Sequence, residues 1–282
     1  MKSLSRRTWF KYIAALGASA GLNSRMFAAN PGFHDPEDDF YLNAIDDDNA
    51  VIEKIFYKRY RETKTIYENP LKSSSDVKNF ALEGQADISF PNGRLRIENT
   101  LDPALKQKAN LVYWCPEDFP DNIAITWDFY PFKEPGLCIF FFSAKGIKGE
   151  NLFSSALNKR SGEYKQYHHG DINAFHVSYF RRNKNTRDFQ LCNLRKSYGH
   201  NMVVQGADPI SCTQHSKPPY HMRVVKFGPS VEFYINELLV LEYTDDGKAY
   251  GPFLGAGKIG FRQMSPLVAE YSSLRVASLE KQ

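Results

Sequence analysis

"IAITWDFYPF", residues Ile123 to Phe132, decides the fold class. In an extended chain Ile123, Ile125, Trp127 and Phe129 fall on one face, and Thr126, Asp128 and Tyr130 on the other. One greasy and one polar side marks a strand covered on one face. The next apolar run, "LCIFFFSA" (Leu137 to Ala144), has no polar alternation. It is expected to be covered on both faces, as a central strand of packed sheets would be. In "ADISFPNGRLRIEN" (Ala86 to Asn99), Pro91-Asn92-Gly93 is a strong turn signal between Ile88 and Phe90 on one side and Leu95 and Ile97 on the other. "VEFYINELLVLEYTDDG" (Val231 to Gly247) repeats the alternation, with Asn236-Glu237 at its turn. "GKIGFRQ" and "AEYSSLRVASL" add two more strands near the end of the chain. No helical periodicity of useful length interrupts residues 70–279. The pattern predicts an all-β sandwich of two antiparallel sheets.

The 282 residues suit one such sandwich, and an apolar share of 42% provides a sizeable core. Sixteen Tyr and three Trp exceed what a core alone needs, and aromatic faces stack on the apolar faces of sugar rings. The net charge of +4 comes from the first 29 residues, which hold Lys2, Arg6, Arg7, Lys11 and Arg25 and no acid. The rest of the chain is near neutral and lacks the clustered cations that nucleic acid binding requires. Cys115, Cys138, Cys192 and Cys212 form no C-x-x-C pair, so a zinc ribbon or redox motif is disfavoured, and their pairing cannot be chosen from spacing.

Residues 1–29 read as an export address. "SRRTWFK" (Ser5 to Lys11), then "YIAALGASAGL" (Tyr12 to Leu22), resemble a twin-arginine signal, which implies a periplasmic or extracellular location. The apolar run is too short to span a membrane, and no longer one follows. Residues 30–65 read as an acidic linker and N-terminal arm, with "VIEKIFYKRYRETK" (Val51 to Lys64) a short helix or arm. The sandwich is expected over residues 66–282.

The closing strands look like those of concanavalin A-like lectin/glucanase jelly rolls. Seven segments sharpen this: "LVYWCPEDFPDNIAITWDFYP", "GLCIFFFSAKG", "RSGEYKQYHHGDINAFHVSYFRR", "CNLRKSYG", "QGADPI", "DDGKAYGP" and "GFRQMSPLVAEY". Together they resemble the bacterial YesU-type family, a jelly-roll family of unresolved function, from about Tyr67 to Leu279. Genes of that type are associated with the use of plant cell-wall polysaccharides. The resemblance therefore implies a carbohydrate ligand and supplies no reaction. In such folds one sheet is concave and glycans lie across it.

"YHHGDINAFHVSYFRR" (Tyr167 to Arg182) would be a strand of that sheet, and both of its faces carry polar groups. The expected catalytic candidates are Asp128, His169, Asp171, His176 and Tyr179. Trp114, Tyr130, Tyr167, Arg181, Asn193 and Arg195 are expected to bind substrate. Hydrolysis needs two carboxylates flanking a glycosidic bond. Asp128 is the best placed of Glu117, Asp118, Asp128, Glu134, Glu163 and Asp171, but no pair stands out. Elimination from a uronate needs a cation at the carboxylate and a His or Tyr at the neighbouring proton. Arg181, Arg195, His176 and Tyr179 suit it. His168, His169 and Asp171 do not form a convincing metal set, since adjacent histidines on a strand diverge. No cofactor is expected, with Asp245 and Asp246 a weak candidate for a structural calcium. The reading is an exported glycoside hydrolase or polysaccharide lyase, with a lectin-like binding module as the alternative.

Overall fold

The computed structural model describes residues 56–183 and 190–282. The export address, the acidic linker and the start of the arm lie outside these residues. Among the described residues fifteen strands form two antiparallel sheets. They are β1 (Tyr60–Asn69), β2 (Ala81–Glu83), β3 (Ala86–Ser89), β4 (Leu95–Asn99), β5 (Leu111–Trp114), β6 (Ile123–Lys133), β7 (Gly136–Gly146) and β8 (Ile172–Arg182). β9 (Leu191–Lys196), β10 (Asn201–Ala207), β11 (Tyr220–Phe227), β12 (Ser230–Ile235), β13 (Leu238–Thr244), β14 (Lys258–Gln263) and β15 (Val268–Lys281) complete the set. The eight-stranded sheet runs β13-β12-β11-β6-β15-β4-β3, with β1 also on β15. The seven-stranded sheet runs β10-β9-β8-β7-β14-β5-β2. This is the expected two-sheet jelly roll.

The alternation of Ile123 to Phe132 is the reason β6 can face a core. Trp127 stacks on Phe140 of the opposite sheet at 4.1 Å, and Phe129 meets Tyr271 and Tyr179. Burying such a side chain contributes about 1.5–3 kcal/mol. β7 is apolar on both faces because both are covered. Cys138, Phe140 and Phe142 point between the sheets. Ile139 and Phe141 point outward, under Leu152 and Tyr167 from the long β7–β8 connection. That connection positions the candidate site. The turn at Pro91-Asn92-Gly93 joins β3 to β4, with Gly93 at φ +62°. Asn236 and Glu237 both take positive φ between β12 and β13, as a two-residue hairpin requires.

β1 starts at Tyr60, inside the segment read as an arm. Tyr60 is buried, and Arg275–Glu62 (2.7 Å) and Arg61–Glu280 (2.5 Å) tie the strand to β15. The four cysteines are free, and burial pushes the Cys138 thiol up to about 12. No helix among the described residues is long and apolar enough to cross a membrane.

Candidate functional site

One row of the seven-stranded sheet carries the site on its outer face. Strand register sets Trp114, Gly260, Phe141, His176 and Arg195 side by side across β5, β14, β7, β8 and β9. Gly260 is required there, because a Cβ would stand 2.4 Å from the Trp114 ring. Trp114 and Phe141 are buried as the floor, 5.3 Å apart.

The β7–β8 connection closes over this floor. One helical turn, Lys165–His168, brings Tyr164, Tyr167, His168 and His169 to the sheet. Tyr167 is a pillar: its hydroxyl donates to Glu83 at 2.7 Å and accepts from Gly162 N at 3.1 Å. A chain of hydrogen bonds then fixes the tautomer of His176. Ser197 Oγ donates to Tyr167 O at 2.9 Å, so it accepts from His176 Nε2–H at 3.2 Å. Nδ1 is left to accept from the Tyr164 hydroxyl at 2.9 Å. His176 is buried and stacked on Phe141 at 5.2 Å. Burial, aided by Arg195, holds its pKa well below the ordinary value, so it is neutral. Its role is to hold Tyr164, whose hydroxyl burial pushes up to about 12.

Above this network lies a rim of imidazoles and guanidinia. The His168 ring is 4.6 Å from that of His200 and 4.5 Å from that of His169. Tyr164 meets His168 edge-on at 4.7 Å, and Tyr198 meets His169 at 5.6 Å. Burial first, then His200, His169 and Arg195, lowers His168 to about 4. His200 is lowered for the same reasons. Arg195 donates to His200 O at 2.9 Å. Arg181 donates to Leu191 O at 3.2 Å, and burial and the neighbouring Arg195 depress its pKa. Arg262 is buried under the Tyr164 ring at 4.8 Å and donates to Gln107 at 3.1 Å. Among the described residues neither Arg195 nor Arg262 forms an ion pair with a carboxylate. The face is thus aromatic and cationic, with Arg195 and Arg262 free of carboxylate partners among the described residues.

The structure brings His169, His176, Arg195, Arg181, Asn193, Tyr167 and Trp114 together on or beneath this face. Asn193 lies between Arg181 and Gln205, and with its amide oxygen toward Arg181 it accepts from Nη1 at 3.0 Å. The remaining candidates lie elsewhere, so the expected catalytic set does not converge. Tyr179 is on the opposite side of β8, packed on Trp127 and Phe129 between the sheets. Asp171 accepts from Asn158 N at 2.6 Å and from its side chain at 3.0 Å, closing the connection. Asp128 and Tyr130 belong to the eight-stranded sheet. Asp128 bonds His221 at 2.6 Å, and Tyr130 lies under Arg94 at 4.1 Å. Asp128 lines a 420 Å³ groove in which Arg223 pairs with Glu237 and Arg275 with Glu62. Charge there is largely compensated. Asp245 pairs with Lys196 at 2.6 Å, and Asp246 accepts from two backbone amides of its own turn. Sequence reasoning missed Arg262 and His200. The one signal for Arg262 was a second cation in the short "KIGFRQ" strand, Lys258 to Gln263.

Known proteins share this architecture. The chain is 49% identical over 218 residues to the uncharacterized protein YesU of Bacillus subtilis (strain 168), covering 77% of this chain and 97% of that one. A solved Bacillus subtilis protein of unknown function with a galectin-like fold superposes with a TM-score of 0.76 at 48% identity, covering 79% of this chain and all of that one. The carbohydrate recognition domain of Emp47p shares the fold at a TM-score of 0.50 and 12% identity, covering 77% of this chain and 97% of that one. Residues 64–276 match the family described as Domain of unknown function (DUF1961), and the chain belongs to that family.

Proposed function

We propose that the protein recognises an acidic glycan, a polysaccharide or oligosaccharide bearing uronate carboxylates, on the outer face of its seven-stranded sheet. The observation that carries this is Arg195, without a carboxylate partner among the described residues, next to Arg181, ringed by aromatic side chains, and with the buried Arg262 adding positive charge beneath. A guanidinium offers a planar fork that fits a carboxylate, and the rings of Tyr164, Tyr198 and the histidines offer stacking surface. Fold neighbours that include a carbohydrate recognition domain support a sugar as the ligand. Export through the Arg6-Arg7 segment would suit a polymer met outside the cytoplasm.

Binding is the reading that fits the electrostatics best. His168 at about 4 and Tyr164 at about 12 are both displaced from neutral pH, whereas acid–base catalysts are tuned toward it. Asp128 and Asp171, the two carboxylates expected to catalyse, are on different sheets or engaged, which counts against hydrolysis. Elimination from the same glycan is the second reading. Its support is the placement of neutral imidazoles beside Arg195, a proton acceptor next to a carboxylate clamp. Titration with oligouronates and with neutral oligosaccharides of equal length, followed by ultraviolet absorbance for an unsaturated product, tests both. Binding of oligouronates alone without absorbance supports recognition; new absorbance shifts the assignment to a lyase. Binding of neither, or of the neutral series only, overturns the proposal.

A further inference from the structure

A second cavity opens at the rim beside this face, with a volume of 520 Å³. Its walls are Tyr198 and Ser197 after β9, Asn173 and Asn201, and the β13–β14 connection with Tyr250 and Pro252. Among the described residues no charged side chain lines it. Tyr198 and Tyr250 are 52% and 38% exposed, a large aromatic surface left to solvent. Asn173 Oδ1 is buried there without a hydrogen-bond partner. Asn201 spends its amide hydrogens on Lys196 O (3.3 Å) and Tyr198 O (2.9 Å), which leaves its oxygen as an acceptor.

The cavity is rigidly coupled to the cationic face. Lys196, next to Arg195 on β9, is buried and donates to Asp245 at 2.6 Å and to Gly251 O at 2.9 Å. That strut fixes the far wall. Ser197 lines the cavity while its hydroxyl holds His176, and Tyr198 lines it while its ring touches His169.

We infer that this cavity is a subsite for a neutral sugar, adjoining the carboxylate-binding face, so that the preferred ligand joins acidic and neutral residues in one chain. The inference rests on the acidic-glycan reading. Among the described residues no cation here offers a carboxylate a partner, whereas the acceptor oxygens of Asn173 and Asn201 fit hydroxyl donors. Two tyrosine faces suit the C–H side of a pyranose. The volume falls within the range of small-ligand sites.

The test uses the full chain and three oligosaccharides of equal length: all-uronate, alternating uronate and neutral sugar, and all-neutral. Affinities are measured for the wild type, Tyr250→Ala, Asn173→Leu and Arg195→Gln, with melting temperatures as a folding control. The wild type should bind the alternating oligomer about tenfold more tightly than the all-uronate one, as a sugar–aromatic contact plus one buried hydrogen bond would give. Tyr250→Ala should erase that preference and leave all-uronate affinity unchanged, while Arg195→Gln weakens both. An unchanged preference in both Tyr250→Ala and Asn173→Leu, or none in the wild type, overturns the subsite and leaves the acidic reading standing. If no oligouronate binds, the acidic reading fails. The subsite then survives only if the all-neutral oligomer binds and Tyr250→Ala abolishes it.

Discussion

Lowering the pH from 7 to 5 should tighten the binding of an oligouronate. His168 decides the sign. Its ring is faced by His200 and His169 and met edge-on by Tyr164, with Arg195 and Arg262 adding positive charge, and burial is the largest cause of its fall to about 4. A carboxylate bound at Arg195 supplies the missing counter-charge and raises that pKa. The complex therefore takes up a proton, and affinity grows as the pH drops. If His168 returned to its ordinary value of about 6.5, linkage would give about a 20-fold gain between pH 7 and pH 5. The ring is partly exposed, so solvent screening reduces this to about five- to tenfold. Calorimetry at pH 5, in two buffers of different ionisation enthalpy, would count the proton directly. His168→Gln should flatten the dependence, and a neutral oligosaccharide should show none. Affinity that stays level or weakens toward pH 5, without proton uptake, would refute the reasoning.

Other expectations follow from the same geometry. Arg195→Gln should weaken oligouronate binding about tenfold or more, the loss of one charge-assisted contact, and leave the melting temperature unchanged; equal binding would remove Arg195 from the site. Tyr164→Phe leaves the buried His176 Nδ1 without its donor and should cost about 1–3 kcal/mol in urea unfolding. Lys196→Met strands the buried Asp245 carboxylate and should cost about 3–5 kcal/mol, with partial recovery when Asp245 is also replaced by Leu. His168 and His176 are lowered in the folded protein, so the unfolded chain binds their protons first. Stability should therefore fall as the pH drops below about 6.5, as urea midpoints at pH 7 and pH 5 would show.

The sheets were legible because burial writes a period of two into a strand. Trp127 and Phe129 announced the inner face of β6, and the unbroken run through Phe140 to Phe142 announced a strand covered on both sides. The site was less legible for a related reason. On β8 both faces are mixed, so nothing local tells that His176 points out while Tyr179 points in. Arg195 and Arg262 meet the same face only through register, which depends on partners distant in the chain. Asp128 looked well placed because it sits on a clean polar face, but that face belongs to the other sheet. The resemblance to the YesU-type family identified the family, and it could not place a ligand.

β15 has a consequence for synthesis. It lies between β6 on one side and β4 and β1 on the other, yet it is made after all of them. A ribosome releases residues 60–133 long before their shared neighbour exists. Until residues 268–281 emerge, the eight-stranded sheet is two fragments with bare edges, β13-β12-β11-β6 and β4-β3, and an unpaired β1, open to stray pairing or to a protease. A nascent chain halted before Val268 is therefore an unfinished surface rather than a smaller domain. β15 acts as a checkpoint: the sandwich closes only on a chain translated through its central slat.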